Sequence, residues 1–172
     1  IMSWLTFKYI EDVMTKDDAF KILTDNQNFT KERTSKILKE GYPSYTTAAG
    51  WLGYSDEKII ELLHEYMSRG WKHFKIKVGT DLEADVKRLE LIRNTIGNER
   101  SIMVDANQQW SVEQSIKHIN AYKRFDLLFV EEPTSPDDVL GFTKIKKAVG
   151  DVRLATGEAC SGRIMFKQFL ES

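Results

Sequence analysis

The sequence predicts an α/β protein in which short parallel strands alternate with helices. From Ser55 onward, apolar runs of five or six residues alternate with amphipathic segments that carry helix start and stop signals. The runs end at intervals of 26 to 28 residues, which is the length of one strand, one helix and two loops. Strands connected in this way pair in parallel and are covered on both faces, which explains their richness in Ile, Val, Leu and Phe.

Five apolar runs are predicted as strands. They cover residues 45–49, 73–78, 101–105, 127–131 and 153–158. Five strands are too few to close an eight-stranded barrel, which needs ~250 residues. The chain is therefore expected to be either an open five-stranded sheet or a piece of a barrel.

The helices between these strands are predicted from their caps and from glycine stops. The first covers 56–69, between the cap Ser55 and the stop Gly70. The next two begin with capping boxes: one from Thr80 to Glu83, which stops at Gly97, and one from Ser111 to Gln114, which runs to about Lys123. The fourth has Pro136 in its first position and ends near Gly150, and a last helix starts at about Arg163.

The first 42 residues have a different character. They contain two short polar helical patterns, about 16–24 and 31–40, and the segment 41–43 is a predicted boundary turn. We therefore expect two regions, a helical segment over 1–42 and the strand–helix units over 43–172.

Composition excludes several functional classes. The 172 residues include 25 basic and 26 acidic side chains, so no electrostatic footprint for nucleic acid is expected. No apolar run reaches the ~18 residues of a membrane span, and no signal-peptide pattern is present. Cys160 is the single cysteine, which fits a reducing compartment, mitochondrial or cytoplasmic, and suits either a small buried side chain or a residue near a site. The sequence opens on Ile1 and not on Met, so the true N-terminus, and with it any targeting peptide, is expected to lie outside this sequence.

Three acidic residues follow successive predicted strands: Asp105, Glu131 and Glu158. In a parallel array their carboxylates emerge at the same end of the sheet. Three carboxylates within ~4 Å would repel by ~4 kcal/mol per pair at an effective dielectric constant of ~20, so convergence requires protonation or a bound cation. Mg²⁺, which prefers oxygen ligands, is the expected ion. Each acid taken alone is equally compatible with a loop or capping role.

Lys75 and Lys77 lie on one face of the preceding strand because strand side chains alternate. A second lysine and a cation nearby disfavour the protonated form of Lys77, which is therefore the candidate base. Lys75 is expected to hold a substrate carboxylate. Asn107 is predicted either to support the site by hydrogen bonding or to form a turn, and Glu132 is expected to point away from Glu131, toward the sheet exterior or a helix.

Four motifs together resemble the enolase superfamily, mandelate racemase subgroup: KIK at 75–77, DAN at 105–107, EEPT at 131–134 and GE at 157–158. The stretch GYPSYTTAAGWLGYSDEK at 41–58 is similar to the L-fuconate dehydratase branch. The resemblance implies a partial TIM (β/α) barrel of about five units over 43–172, with 1–42 as the helical end of an α+β capping domain.

The resemblance also implies a chemistry, which the superfamily performs with a lysine or histidine base and Mg²⁺. Asp105, Glu131 and Glu158 would bind Mg²⁺, and Lys77 would remove the C2 proton of an acid sugar such as L-fuconate while Lys75 assists electrostatically. Loss of the 3-hydroxyl then gives a 2-keto-3-deoxy sugar acid, so the implied activity is that of a lyase.

Several alternatives stay open at this stage. In the family a histidine on the seventh strand, paired with an aspartate on the sixth, supplies a second acid/base group, and the present sequence is expected to stop before both. Another acid-sugar dehydratase or racemase of the subgroup, a non-catalytic metal-binding or interaction fragment, and an open sheet resembling a phosphoacceptor domain are the competing interpretations. Uncovered strand edges would also favour pairing with another chain, as in a homo-oligomer.

Overall fold

The computed structural model describes residues 15–172. Three helices come first, and from the first strand onward strands and helices alternate in the predicted order. They are α1 (Lys16–Gln27), α2 (Thr30–Glu40), α3 (Asp56–Ser68), β1 (His73–Lys77), α4 (Leu82–Ile96), β2 (Ser101–Asp105), α5 (Val112–Tyr122), a 3-10 turn (Lys123–Phe125), β3 (Leu127–Glu131), α6 (Val139–Val149), β4 (Leu154–Ala155) and α7 (Arg163–Glu171).

The chain divides into two compact units. Among the described residues, one unit comprises 15–44 together with Cys160–Glu171, and the other comprises Tyr45–Ala159 and Ser172. The first unit contains α1, α2 and α7, none of which buries a residue completely. None of the helices described is long and apolar enough to cross a membrane.

The second unit is a four-stranded, entirely parallel sheet in the order β1-β2-β3-β4. Each pair of neighbouring strands is joined by a helix, α4, α5 or α6. This is the strand–helix alternation of a (β/α) barrel, and the predicted α/β class is confirmed.

The strand predicted over 45–49 is reduced to one bridge, in which Thr46 pairs in parallel with Phe74. The ladder stops because the chain turns: the Thr46 hydroxyl accepts a hydrogen bond from the amide of Ala48, and Gly50 donates to the carbonyl of Thr47. A local side chain to backbone bond of this kind competes with strand pairing. The prediction of a full strand over 45–49 was therefore wrong.

The strand predicted over 153–158 is also shorter, since β4 contains only Leu154 and Ala155. Gly157 has a φ of +129°. This value lies outside the strand region, and residues with a side chain rarely adopt it. The chain accordingly leaves the sheet before Glu158.

Two of the predicted helix starts are displaced. The capping box of Ser111 and Gln114 is confirmed, with both hydrogen bonds formed. At α4 the N-cap is Asp81 instead of Thr80, and its carboxylate accepts from the amide of Ala84. At α6 the N-cap is Asp138 and the helix begins at Val139. Pro136, predicted in the first helical position, therefore lies before the helix. In both cases an aspartate farther along the chain caps the helix by accepting a hydrogen bond from a backbone amide of the first turn.

The two faces of the sheet differ in chemistry. Alternate residues of β1, β2 and β3 point into the apolar core and pack against α3, α4, α5 and α6; they are Phe74, Ile76, Ile102, Val104 and Val130. The intervening residues of β1 are Lys75 and Lys77, and β2 ends with Asp105. The helices therefore cover the apolar face, while the charged side chains gather on the other face, which corresponds to the interior of a barrel.

Candidate active site

The last residues of the first three strands form one row across the sheet. Lys77 is in register with Asp105, and Asp105 is in register with Glu131. Glu131 is in turn opposite Ala155 of β4. Because the strands are parallel, the row lies at their common carboxyl end, where α/β proteins place functional residues.

The two lysines contact the two acids directly. Nζ of Lys77 lies 2.7 Å from Oδ2 of Asp105, and Nζ of Lys75 lies 2.5 Å from Oε2 of Glu131. Lys75 is also 3.6 Å from Oδ2 of Asp105. The Asp105 side chain is 3% exposed, and both ammonium groups lie within 4 Å of its Oδ2. The structure therefore brings together four of the predicted residues, two ammonium groups and two carboxylates.

The two lysines occupy different environments. Burial alone would lower the pKa of Lys75, but hydrogen bonding to Glu131 and Tyr45 and the negative charges of Glu131 and Asp105 raise it above its ordinary value. Lys75 is therefore a permanent cation near neutral pH. The Lys77 side chain is 21% exposed, against 8% for Lys75, and contacts a single carboxylate. Of the two amines, that of Lys77 is the more accessible to a substrate.

Asn107 contributes to the site through its backbone. Its amide donates to Oδ1 of Asp105 at 3.0 Å, and its φ of +45° places it in the left-handed region. The neighbouring Gln108, with a φ of +66°, donates its amide to the carbonyl of Glu132. Asn107 therefore forms a turn and also supports Asp105 by a hydrogen bond from its backbone.

Glu158 lies in a turn three residues beyond Ala155, and its side chain is exposed. Within residues 15–172, no group of three His, Cys, Asp or Glu side chains is close enough to hold a metal ion. Asp105 and Glu131 are thus adjacent in the structure, while Glu158 stands apart from them on the segment that follows the next strand.

Glu132 is buried, with 3% of its surface exposed and a φ of +44°. Its amide donates to the carbonyl of Ala155, and its Oε1 has no hydrogen-bond partner in the part of the chain that is described. It makes no recorded contact with the lysines.

Sequence reasoning missed two aromatic residues above the lysines. The ring centroid of Tyr45 is 4.7 Å from Nζ of Lys75, and that of Trp51 is 6.0 Å from Nζ of Lys77. Both distances allow a cation–π attraction. The signal in the sequence was the density of aromatic residues between Tyr42 and Tyr54.

Behind the row, α4 supplies a buried polar network that the sequence analysis also missed. Arg88 donates to the carbonyl oxygen of Lys77, and Asp85 accepts from the amide of Gly79 at 2.8 Å. The hydroxyl of Tyr122 donates to the same oxygen of Asp85 at 3.1 Å. The signal was a pair of charged residues, Asp85 and Arg88, three positions apart among the apolar residues of α4. The network holds the backbone immediately after β1.

A pocket of about 290 Å³ lies at the opposite end of the strands. It is lined by Asn98, Glu99, Arg100, Ser101, Asp126, Leu127, Leu128, Asp151 and Arg153. Ser101 and Leu127 begin β2 and β3, so this pocket is at the amino ends and is remote from the lysine and carboxylate row.

Comparison with known proteins finds similarity over most or all of the chain. Residues 58–172 match the sequence profile of the family described as enolase C-terminal domain-like. The crystal structure of human mitochondrial enolase superfamily member 1 superposes with a TM-score of 0.90 at 46% identity, covering 96% of this chain and 38% of that one. The orangutan (Pongo abelii) protein of that name is 45% identical over the full chain, which spans 39% of its length.

Two dehydratases are also similar. L-galactonate dehydratase of Hypocrea jecorina is 40% identical over 171 residues, which cover 96% of this chain and 38% of that protein. L-talarate/galactarate dehydratase of Salmonella typhimurium, solved with magnesium and L-lyxarohydroxamate, has a TM-score of 0.70 at 30% identity, covering 74% of this chain and 32% of that one.

Proposed function

The chain belongs to the enolase C-terminal domain-like family, and from this premise we propose that it provides the base and the metal-binding carboxylates of an acid-sugar dehydratase. The observation that carries the proposal is the row at the carboxyl ends of the strands, in which Lys77 meets Asp105 and Lys75 meets Glu131. An amine beside paired carboxylates is suited to proton abstraction next to a charged substrate group.

Asp105, Glu131 and Glu158 are the residues that we propose as magnesium ligands. The chemistry of the donors fits, since all three are carboxylates, the preferred ligands of Mg²⁺. Two of them are already adjacent in register, and the third follows the next strand in the same sheet. When bound, the ion would stabilise the negative charge that develops on the substrate carboxylate.

The lysines would then divide the remaining work. Lys75, held as a cation by Glu131 and Asp105, would bind the substrate carboxylate and help to neutralise it. Lys77 would accept the proton from C2, so that the electron pair of the C2–H bond moves onto the carboxylate and forms an enediolate. Collapse of the enediolate expels the 3-hydroxyl, which leaves as water after protonation. The resulting enol tautomerises to a 2-keto-3-deoxy acid.

We propose L-fuconate as the first substrate to test. The relative from Hypocrea jecorina is named for L-galactonate, and L-fuconate is L-galactonate without its 6-hydroxyl group. L-Talarate and galactarate are the second choice, on the similarity to the Salmonella typhimurium enzyme. Because the vertebrate relatives are named mitochondrial, the mitochondrion is the first compartment to examine, with the cytoplasm as the alternative.

The proposal is tested with magnesium and substrate separately. Calorimetric titration of the chain with Mg²⁺ should show binding that Asp105→Asn abolishes, while Glu90→Gln, which removes an exposed acid on α4, leaves it unchanged. Incubation with Mg²⁺ and L-fuconate should then release a 2-keto acid, and Lys77→Ala should not.

The outcomes separate the alternatives. A folded chain that binds Mg²⁺ but releases no 2-keto acid from any of the three sugar acids would be a non-catalytic metal-binding module. Binding of Mg²⁺ that survives Asp105→Asn would contradict the proposed ligands.

A further inference from the structure

We propose that Tyr45 and Trp51 form an aromatic wall of the substrate site and that Trp51 contacts the carbon chain of the sugar acid. Tyr45 contributes by holding Lys75, whereas Trp51 contributes by contact with the substrate. The inference rests on the proposed function, because it takes the lysine and carboxylate row as the place where a sugar acid binds.

The residues between the two rings are fixed to β1 by backbone hydrogen bonds. The amide of Thr46 donates to the carbonyl of His73 at 3.0 Å, and the amide of Lys75 donates to the carbonyl of Thr46 at 2.9 Å. At the other end, the amide of Lys77 donates to the carbonyl of Gly50 at 2.8 Å. Residues 45–51, which we call the aromatic strap, are therefore bound to the same strand that carries both lysines.

These bonds determine which ring covers which lysine. The carbonyl that binds the amide of Lys75 belongs to the residue after Tyr45, and the carbonyl that binds the amide of Lys77 belongs to the residue before Trp51. Each aromatic side chain is thus tied, through one backbone neighbour, to the lysine beneath it. The ring-to-amine distances of 4.7 Å and 6.0 Å are consequences of this attachment.

Close packing prevents the strap from shifting along β1. A Cβ added to Gly50 would overlap the carbonyl oxygen of Lys75 and lie 2.9 Å from Cα of Ile76. Ala49, one residue earlier, is 2% exposed and belongs to the apolar core. The strap therefore presents its two rings in a fixed place, as a pre-organised binding surface requires.

Both rings keep a large exposed surface at the site. Tyr45 is 42% exposed and Trp51 is 51% exposed. The aromatic strap thus leaves two rings beside charged groups without burying them, which is typical of a surface that receives a ligand. Tyr45 contacts the buried Lys75, so its ring is engaged. Trp51 lies farther from its lysine and is the freer of the two rings.

The chemistry of a sugar acid fits this arrangement. Its carboxylate is attracted to Lys75, and its C2–H must lie within reach of Lys77 for proton transfer. The carbon chain beyond C2 then extends past Lys77, where the indole ring lies. One face of a sugar acid chain presents C–H bonds, and these pack favourably on the negative face of an aromatic ring. Trp51 would therefore add affinity and select for chains that offer such a face.

The test compares three variants in the presence of Mg²⁺ and L-fuconate. Trp51→Ala should weaken L-fuconate affinity about tenfold, measured as Kd or, with turnover, as KM with kcat nearly unchanged. Trp51→Phe, which restores a ring, should recover most of this loss. Leu52→Ala removes an exposed apolar side chain next to Trp51, and it should leave the affinity unchanged.

Fluorescence provides a readout independent of turnover. Subtracting the emission of Trp51→Phe from that of the unmodified chain gives the emission of Trp51. This emission should change when L-fuconate binds. Wild-type affinity in Trp51→Ala with unchanged Trp51 emission would overturn the aromatic wall while leaving the proposed function intact. Weaker Mg²⁺ binding in Trp51→Ala would assign Trp51 a structural role and also overturn it. A wild-type chain that binds no sugar acid overturns the proposed function, and the wall with it.

Discussion

The amine of Lys75 in β1 reaches past β2 and lies 2.5 Å from Oε2 of Glu131 at the end of β3. The same Nζ lies 3.6 Å from Oδ2 of Asp105. One buried cation therefore neutralises two carboxylates that would otherwise repel each other across neighbouring strands. The lysines therefore stabilise the closely spaced acids of the row.

Replacing this cation should destabilise the fold. Lys75→Met keeps the length of the side chain but leaves the carboxylates of Glu131 and Asp105 without their shared partner. We expect the free energy of unfolding to fall by about 3 kcal/mol, as for other buried ion pairs that lose one member. Urea unfolding measures this, and Lys72→Met, at an exposed position before β1, should change stability by less than about 0.5 kcal/mol. Equal stability of the two variants would mean that the ion pair contributes nothing.

A methyl group at Gly50 should disturb the attachment of the aromatic strap to β1. It would overlap the carbonyl oxygen of Lys75, which is backbone and cannot rotate away. We expect Gly50→Ala to lower the free energy of unfolding by about 2 kcal/mol. Gly162→Ala is the matched control, since no atom lies within 4 Å of its added Cβ. An unchanged urea midpoint in Gly50→Ala would show that the strap is not packed against β1 as described.

The hydroxyl of Tyr122 should contribute to stability through Asp85. Tyr122 is completely buried, and burial, followed by the charge of Asp85 and the hydrogen bond to it, raises the pKa of the phenol. Tyr122→Phe removes one of the donors to the buried Asp85 carboxylate and should lower the free energy of unfolding by about 1.5 kcal/mol. Tyr54→Phe, at an exposed position, should have no effect. A stability gain in Tyr122→Phe would contradict a satisfied network.

His118 should make stability depend on pH. Burial against Trp110 and Tyr122 lowers its pKa below the ordinary 6.5; Lys117 acts in the same direction, and Asp85 and Asp81 oppose it. The unfolded chain then binds a proton more readily than the folded one. The stabilisation is therefore present above pH 6.5 and is lost as the pH falls from 6.5 through the lower pKa of the folded protein.

The measurement is urea unfolding at about pH 7.5 and about pH 5.5, on either side of the ordinary histidine pKa. His118→Gln should lose less stability between the two pH values than the unmodified chain does. His64→Gln, which removes an exposed histidine on α3, should keep the original pH dependence. Parallel pH profiles for all three proteins would argue against a neutral buried His118.

Local signals in the sequence predicted most of the architecture. The 26 to 28 residue rhythm predicted the parallel sheet, and the Ser111 capping box predicted the start of α5, because periodicity and capping depend on residues a few positions apart. The same rhythm placed Lys77, Asp105 and Glu131 at strand ends. The errors also have local causes. A turn at Thr46 reduces the strand predicted over 45–49 to one bridge, and two helices begin after Asp81 and Asp138 instead of at the predicted positions near Thr80 and Pro136.

What the sequence determined by itself was the order of the elements and the row of charged strand ends, since both follow from residue periods and caps. The tertiary structure alone decided the pairing of Lys75 with Glu131, which are 56 positions apart, and the placement of Tyr45 and Trp51 over the lysines. These contacts depend on strand register and on the close approach of Gly50 to β1. Both join residues that are far apart in the sequence or in separate elements, so no short-range pattern in the chain encodes them.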